Sequence, residues 1–153
     1  MDGQHAQQVW SALTSIGQNG SMPLRSLDEV DGGTVDLPQV TAVLRSAGAT
    51  FALIHGSRAT GLAREGSDLD VAAWLPDGVE PWALPLPETV DLVSLRGLPL
   101  VIAGRIATDG VLLFDDDPPA RVRWQADTRQ RWSDEAQRRA RITADILRAA
   151  SGG

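Results

Sequence analysis

The amino-acid sequence predicts an α/β domain, a small mixed sheet of about four strands with helices packed on one face. Three observations predict it. Short apolar runs of four or five residues, closed by Gly or Pro, recur between Thr50 and Phe114, as buried strands do. Segments with apolar residues every three or four positions lie around and between those runs, the period of amphipathic helices. Finally, 153 residues with 42% hydrophobic side chains suffice for one core and a short appendage.

The elements follow in chain order. Val9, Trp10, Leu13 and Ile16 predict a short helix before Gly17 and Gly20, followed by a polar connector from Ser21 to Gly33. Residues 1–33 therefore read as an N-terminal extension and 34–153 as the main domain. Asp36 can cap a helix with Pro38 in its first turn. Val40, Val43 and Leu44 give that helix its apolar face, and Gly48 ends it. Thr50 to Ile54 is a buried strand, broken by Gly56. A second strand runs from Asp68 to Leu75 and a third from Thr89 to Leu95. Pro76, Pro81, Pro85 and Pro87 make the intervening segment a loop. Leu100 to Ala107 suits a helix and Val111 to Phe114 a further short strand. Asp117, with Pro118 and Pro119 behind it, opens a helix reaching about Ala150, with a break expected near Ser133. There is no internal repeat and no low-complexity tract.

Composition narrows the chemistry. The 14 basic residues, all Arg, face 20 acidic ones, a net charge of −6, so non-specific binding to a nucleic-acid backbone is not expected. Without Cys there is no disulfide, thiolate metal site or Cys nucleophile. Without Lys there is no P-loop lysine and no Schiff base. Met1 to His5 lacks a basic start leading into an apolar run, and no apolar stretch reaches membrane-spanning length. The expectation is a cytoplasmic protein.

The chemistry concentrates in Gly56-Ser57-Arg58-Ala59-Thr60-Gly61 and Ser67-Asp68-Leu69-Asp70. After a strand, Gly56 permits a tight turn. It leaves Ser57 in the first turn of a helix, where free N–H groups favour an anion such as phosphate. A plain turn and N-cap explains the pair equally well. The aspartates are more specific. At i and i+2 on a strand they project from one face, roughly 6–7 Å apart. Carboxylates that close raise one another's pKa unless a cation neutralises them. With no Lys available, a magnesium-type ion, bound by carboxylates and substrate phosphates, is the best candidate. Asp91, in the apolar run Val90-Asp91-Leu92-Val93, is the third carboxylate within reach.

Other residues have simpler explanations. His55 fits strand-end packing, and His5 lies in the extension. The five tryptophans fit packing or interfaces, and Asp115-Asp116-Asp117 fits a turn and helix cap. The arginines of the last helix suit either a solvated face or contact with an acidic partner.

These motifs carry a resemblance. Gly56-Ser57, then Asp68-x-Asp70, then a strand Asp91 resembles the nucleotidyltransferase superfamily of the DNA polymerase β type. More closely, Ile54 to Gly61 and Ser67 to Val71 resemble the minimal nucleotidyltransferases, whose pattern is a G-S-x-A-x-G turn followed by S-D-x-D. The similarity continues through Val90–Val93, Ile102–Ile106 and Gly110–Phe114, and covers roughly residues 37–147. Thr60 stands where members commonly carry Arg.

The resemblance implies a polymerase β palm-like fold in which Asp68, Asp70 and Asp91 hold two Mg2+ ions. Asp91 would also lower the pKa of the attacking hydroxyl or accept its proton. Gly56 and Ser57, with help from Arg58, would bind the β- and γ-phosphates of ATP. The implied reaction moves AMP, or another nucleoside monophosphate, onto an acceptor. Minimal members are often antitoxins that silence a HEPN-type ribonuclease toxin by adding AMP to a tyrosine. This chain has no Tyr, so that acceptor would lie on the partner. Two alternatives differ in class: a catalytically silent antitoxin acting by contact, and a small-molecule nucleotidyltransferase of the aminoglycoside-modifying kind.

Overall fold

The computed structural model describes residues 27–30 and 32–152. The expected N-terminal helix around Val9 to Ile16 lies outside them. The first described residues form a 3-10 turn, Leu27–Glu29, and Leu27 and Val30 already pack against the core.

Four strands form one mixed sheet: β1 (Phe51–His55), β2 (Leu69–Ala73), β3 (Val90–Ser94) and β4 (Val111–Asp115). Their spatial order is β3-β2-β1-β4. β1 runs antiparallel to both β2 and β4, and β2 runs parallel to β3. Among the described residues four α-helices accompany the sheet: α1 (Leu37–Ser46), α2 (Gly56–Thr60), α3 (Leu100–Asp109) and α4 (Pro118–Ser151). Among the described residues, no helix is long and apolar enough to cross a membrane.

The α/β class and the mixed four-stranded sheet are as the sequence predicts, but the helices divide between both sheet faces rather than sharing one. Alternation along β1 explains why, because every residue from Phe51 to Ile54 is buried. Ala52 and Ile54 join Leu69, Val71, Val111 and Leu113 on the face covered by Val40 and Leu44 of α1. Phe51 and Leu53 join Ala72 and Leu95 on the opposite face, beneath Ile106 of α3 and Trp124 of α4. A strand apolar on both sides requires cover on both.

The caps form as the sequence indicates. Asp36 Oδ1 accepts the Gln39 N–H (3.2 Å), and Asp117 Oδ1 accepts the Ala120 N–H (3.2 Å). The other two residues of the acidic run also have structural partners. Asp115 pairs with Arg121 (2.8 Å), and Asp116 takes both the Nε and an Nη of Arg45 (2.8 Å each). These bonds fix where α4 leaves the sheet.

The 34 residues of α4 span about 50 Å, with no break at Ser133. Flanking contacts carry the helix through that position. Trp132 packs flat against Gly104 of α3, while Gln130–Asp134 and Arg139–Glu135 bridge successive turns. From residue 136 onward every described side chain is exposed.

The α3–α4 contact depends on the missing side chain at Gly104. A Cβ there would come within 2.5 Å of the Trp132 ring. Gly104→Ala should therefore cost about 1–2 kcal/mol, net of the roughly 1 kcal/mol that Ala gains over Gly inside a helix. Urea melts check this, and in a Trp132→Ala background the same change should become stabilising.

Candidate active site

β1 ends at His55, and the chain turns at Gly56 (φ +70°) into the single turn of α2. The turn is pressed against β2, because a Cβ on Gly56 would overlap Asp70 Oδ2. Any other residue would meet both the left-handed backbone penalty and that carboxylate.

Strand register then assembles the rest. His55 lies opposite Asp70 across the antiparallel β1–β2 pair, and Asp70 lies beside Asp91 across the parallel β2–β3 pair. All three occupy the sheet face that carries Phe51, Leu53 and Ala72, at the end away from Trp74. Neighbouring strands are about 4.8 Å apart, so the Asp70 and Asp91 carboxyl groups are close neighbours. Asp70 is half-buried, whereas Asp68 and Asp91 are exposed. Asp68 precedes β2 by one residue, close enough for its charge to act on Asp70.

Burial pushes the Asp70 carboxyl above its usual range, and the charges of Asp91 and Asp68 push the same way while His55 opposes them. Burial also pushes His55 down, against the pull of Asp70 and Asp91. Its buried Nε2 has no hydrogen-bond partner. His55 and Asp70 thus pull each other's pKa back towards its usual value, and burial outweighs that attraction at both.

The donor chemistry fits a divalent ion. Among the described residues no three His, Asp or Glu side chains gather as an all-protein cage would. Asp70 and Asp91 nevertheless present adjacent hard oxygen donors whose repulsion a cation would relieve. Magnesium sites commonly combine one or two carboxylates with waters and substrate phosphates.

Ser57 is half-buried in α2 beside this pair. Arg58 is differently placed: only 9% exposed, it directs Nε (3.2 Å) and an Nη (2.6 Å) to the Ser67 carbonyl. It thereby ties α2 to the loop that delivers Asp68. The Thr60 hydroxyl turns back to the carbonyls of Gly56 and Ser57 (3.3 and 3.2 Å). A cavity of about 250 Å³ adjoins the turn, lined by His55, Gly56, Thr60, Ile102, Arg105, Ile106 and Asp109.

Sequence reasoning assigned His55 to strand-end packing and did not name Arg105 or Asp109. His55 was legible as the strand residue preceding the Gly-Ser turn. Arg105 and Asp109 share a helical face with Ile102 and Ile106, but only the packing of α3 shows that this face borders the turn.

No family model matches the sequence, and no curated protein matches it significantly. Solved structures do match. One chain of a toxin–antitoxin complex with AMP-PNP superposes with a TM-score of 0.59 at 20% identity, over 74% of this chain and 99% of that one. A chain of the MntA–HepT toxin–antitoxin complex gives 0.53 at 19% identity, over 72% and 96%. The tri-AMPylated Shewanella oneidensis HEPN toxin in complex with its MNT antitoxin gives 0.53 at 19% identity, over 72% and 95%. This chain therefore has the fold that its sequence motifs imply.

Two outcomes follow from the geometry. Gly56→Ala should destabilise the protein by about 1–3 kcal/mol through backbone strain and displacement of Asp70, measurable by denaturant titration. For Asp70, a carboxyl whose folded-state pKa is raised loses stabilising value as pH rises through that pKa. Asp70→Asn in chelator should therefore melt above wild type at pH 7. The difference should close on acidification and vanish below the ordinary value of 3.8.

Proposed function

We propose that this protein is a metal-dependent nucleotidyltransferase that moves AMP from ATP to a tyrosine of a HEPN-type ribonuclease toxin, acting as its antitoxin. One observation carries the reading: Asp70 beside Asp91, with the Gly56-Ser57 turn packed against Asp70. The fold shared with toxin–antitoxin structures, one with AMP-PNP and another with a tri-AMPylated HEPN toxin, supports the same assignment.

In this mechanism Gly56 and Ser57 receive the β- and γ-phosphates at the free N–H groups of α2. The adjoining cavity takes part of the nucleotide, and Arg105 offers there the cation that Thr60 does not. Asp70 and Asp91, with Asp68 close by, would hold magnesium, which when bound would offset phosphate charge and favour in-line displacement. Asp91, on an edge strand and exposed, is open to an incoming acceptor and accepts the proton of its hydroxyl. The acceptor oxygen bonds to the α-phosphorus as the bond to the β-phosphate oxygen breaks, and pyrophosphate leaves. Arg58 holds the Ser67 end of the loop, and with it Asp68, in place.

Incubation of wild-type protein, labelled ATP and magnesium with the cognate HEPN protein should transfer label. Asp91→Asn should slow transfer by about 10²–10⁴-fold, the usual contribution of a general base, and Asp70→Asn should be at least as impaired. Equal labelling by wild type and Asp70→Asn would reject catalysis at this site. Growth rescue by Asp70→Asn as strong as wild type would instead support silencing by contact.

A further inference from the structure

A second concave site lies on the same sheet face, at the opposite end of the strands. It is a groove of about 610 Å³ between the ends of β2 and β3, the start of α3 and the packed half of α4. Trp74 and Trp124 form apolar walls, and Arg96, Arg123 and Arg131 stand around it against the single carboxylate of Asp127. In a chain of net charge −6, this is a local excess of positive charge.

The state of these arginines is informative. Elsewhere five arginines pair with carboxylates: Arg45 with Asp116, Arg121 with Asp115, Arg138 and Arg139 with Glu135, Arg148 with Asp145, and Arg58 and Arg129 are held by backbone carbonyls. At the groove, Arg96 lies over the Trp74 ring (4.5 Å) and reaches the exposed Asp77 only at 3.4 Å. Arg123 and Arg131 are exposed, and among the described residues neither has a carboxylate in ion-pair range. Asp127 stands four residues from each, the spacing at which helical ion pairs form, yet neither pair is made. The groove thus combines an apolar floor with two guanidinium groups that, among the described residues, no carboxylate satisfies.

We infer that this groove docks an acidic segment of the acceptor protein, one apolar side chain entering between Trp74 and Trp124 while carboxylates meet Arg123 and Arg131. The choice of partner rests on the transfer reading above. Geometry links the two sites. Trp74 is four residues beyond Asp70 on the same strand face, about 13 Å at 3.3 Å per residue. A few extended residues of the partner would bridge from the groove to Asp91. Guanidinium groups also suit carboxylates by their forked geometry.

The test uses the full-length protein and its cognate HEPN protein, comparing wild type, Arg123→Glu/Arg131→Glu and Arg123→Lys/Arg131→Lys. Affinity is titrated at low and high salt, with AMP transfer measured in parallel. The Glu pair should bind at least about tenfold more weakly and lose the steep salt dependence of wild type, while the Lys pair, which keeps the charge but not the fork, should keep that salt dependence and lose less affinity. Both side chains are exposed, so melting temperature and MgATP binding should not move. Unchanged partner affinity in the Glu variant, salt-independent binding by wild type, or no binding by wild type would each overturn the inference. Salt-sensitive binding that the Glu pair loses, without AMP transfer by wild type, would reject the transfer reading and uphold the docking site.

Discussion

The register of three strands at one end of the sheet governs this molecule. Side chains alternate faces with period two, so placing His55, Asp70 and Asp91 in one row commits every other residue of β1, β2 and β3. Leu69 and Val71 must then lie beneath α1, and Phe51, Leu53 and Ala72 beneath α3 and α4. A slip of one residue would drive two carboxylates into the α1 core and expose two aliphatic side chains. The hydrophobic cover on both faces therefore holds the acidic row where it is, and the repulsion inside that row is carried by the packing around it.

The distribution of arginine shows how the charge is managed. A guanidinium beside Asp70 would lower its pKa and relieve the repulsion. Arg58 sits two residues past the Gly56 turn, yet it is committed to the Ser67 carbonyl. Arg121 and Arg45 are committed to Asp115 and Asp116 at the root of α4. The three aspartates that anchor a helix are thus satisfied inside the protein. The charges acting on Asp70 come instead from His55, Asp91 and Asp68, with no arginine among them. The difference separates acidic residues that build the fold from those left open to a cation or substrate.

Much of this was legible in the sequence, for identifiable reasons. A glycine after an apolar strand and a capping aspartate are local signals, and both appear where local rules put them, whereas of the i, i+2 aspartate pair only Asp70 lies on the strand, Asp68 preceding β2 by one residue. What escaped depends on contacts between segments distant in sequence. The burial of Arg58 arises because the loop before β2 folds back over α2. The requirement for Gly104 comes from Trp132, which meets it only through the crossing of α3 and α4. The unequal exposure of Asp68 and Asp70 also follows from where β2 begins, since the sequence suggests a strand from Asp68 whereas β2 starts at Leu69. Helices on both faces were foreshadowed by the unbroken apolar run from Phe51 to Ile54, which alternation alone does not divide.

The free half of α4 has a dynamic consequence. Short helices without tertiary contacts are marginal in water, and beyond residue 136 this one is supported by continuity with its packed half and by exposed pairs such as Arg148–Asp145, each worth only a few tenths of a kcal/mol. It therefore melts from its C-terminal end inward, turn by turn. Amides around Gln125 and Thr128, whose side chains are buried, open only when the domain unfolds, whereas those near Ile146 exchange through fraying. One continuous helix thus contains both well-protected and readily exchanging backbone, and its cooperativity ends where Trp132 leaves the surface of α3.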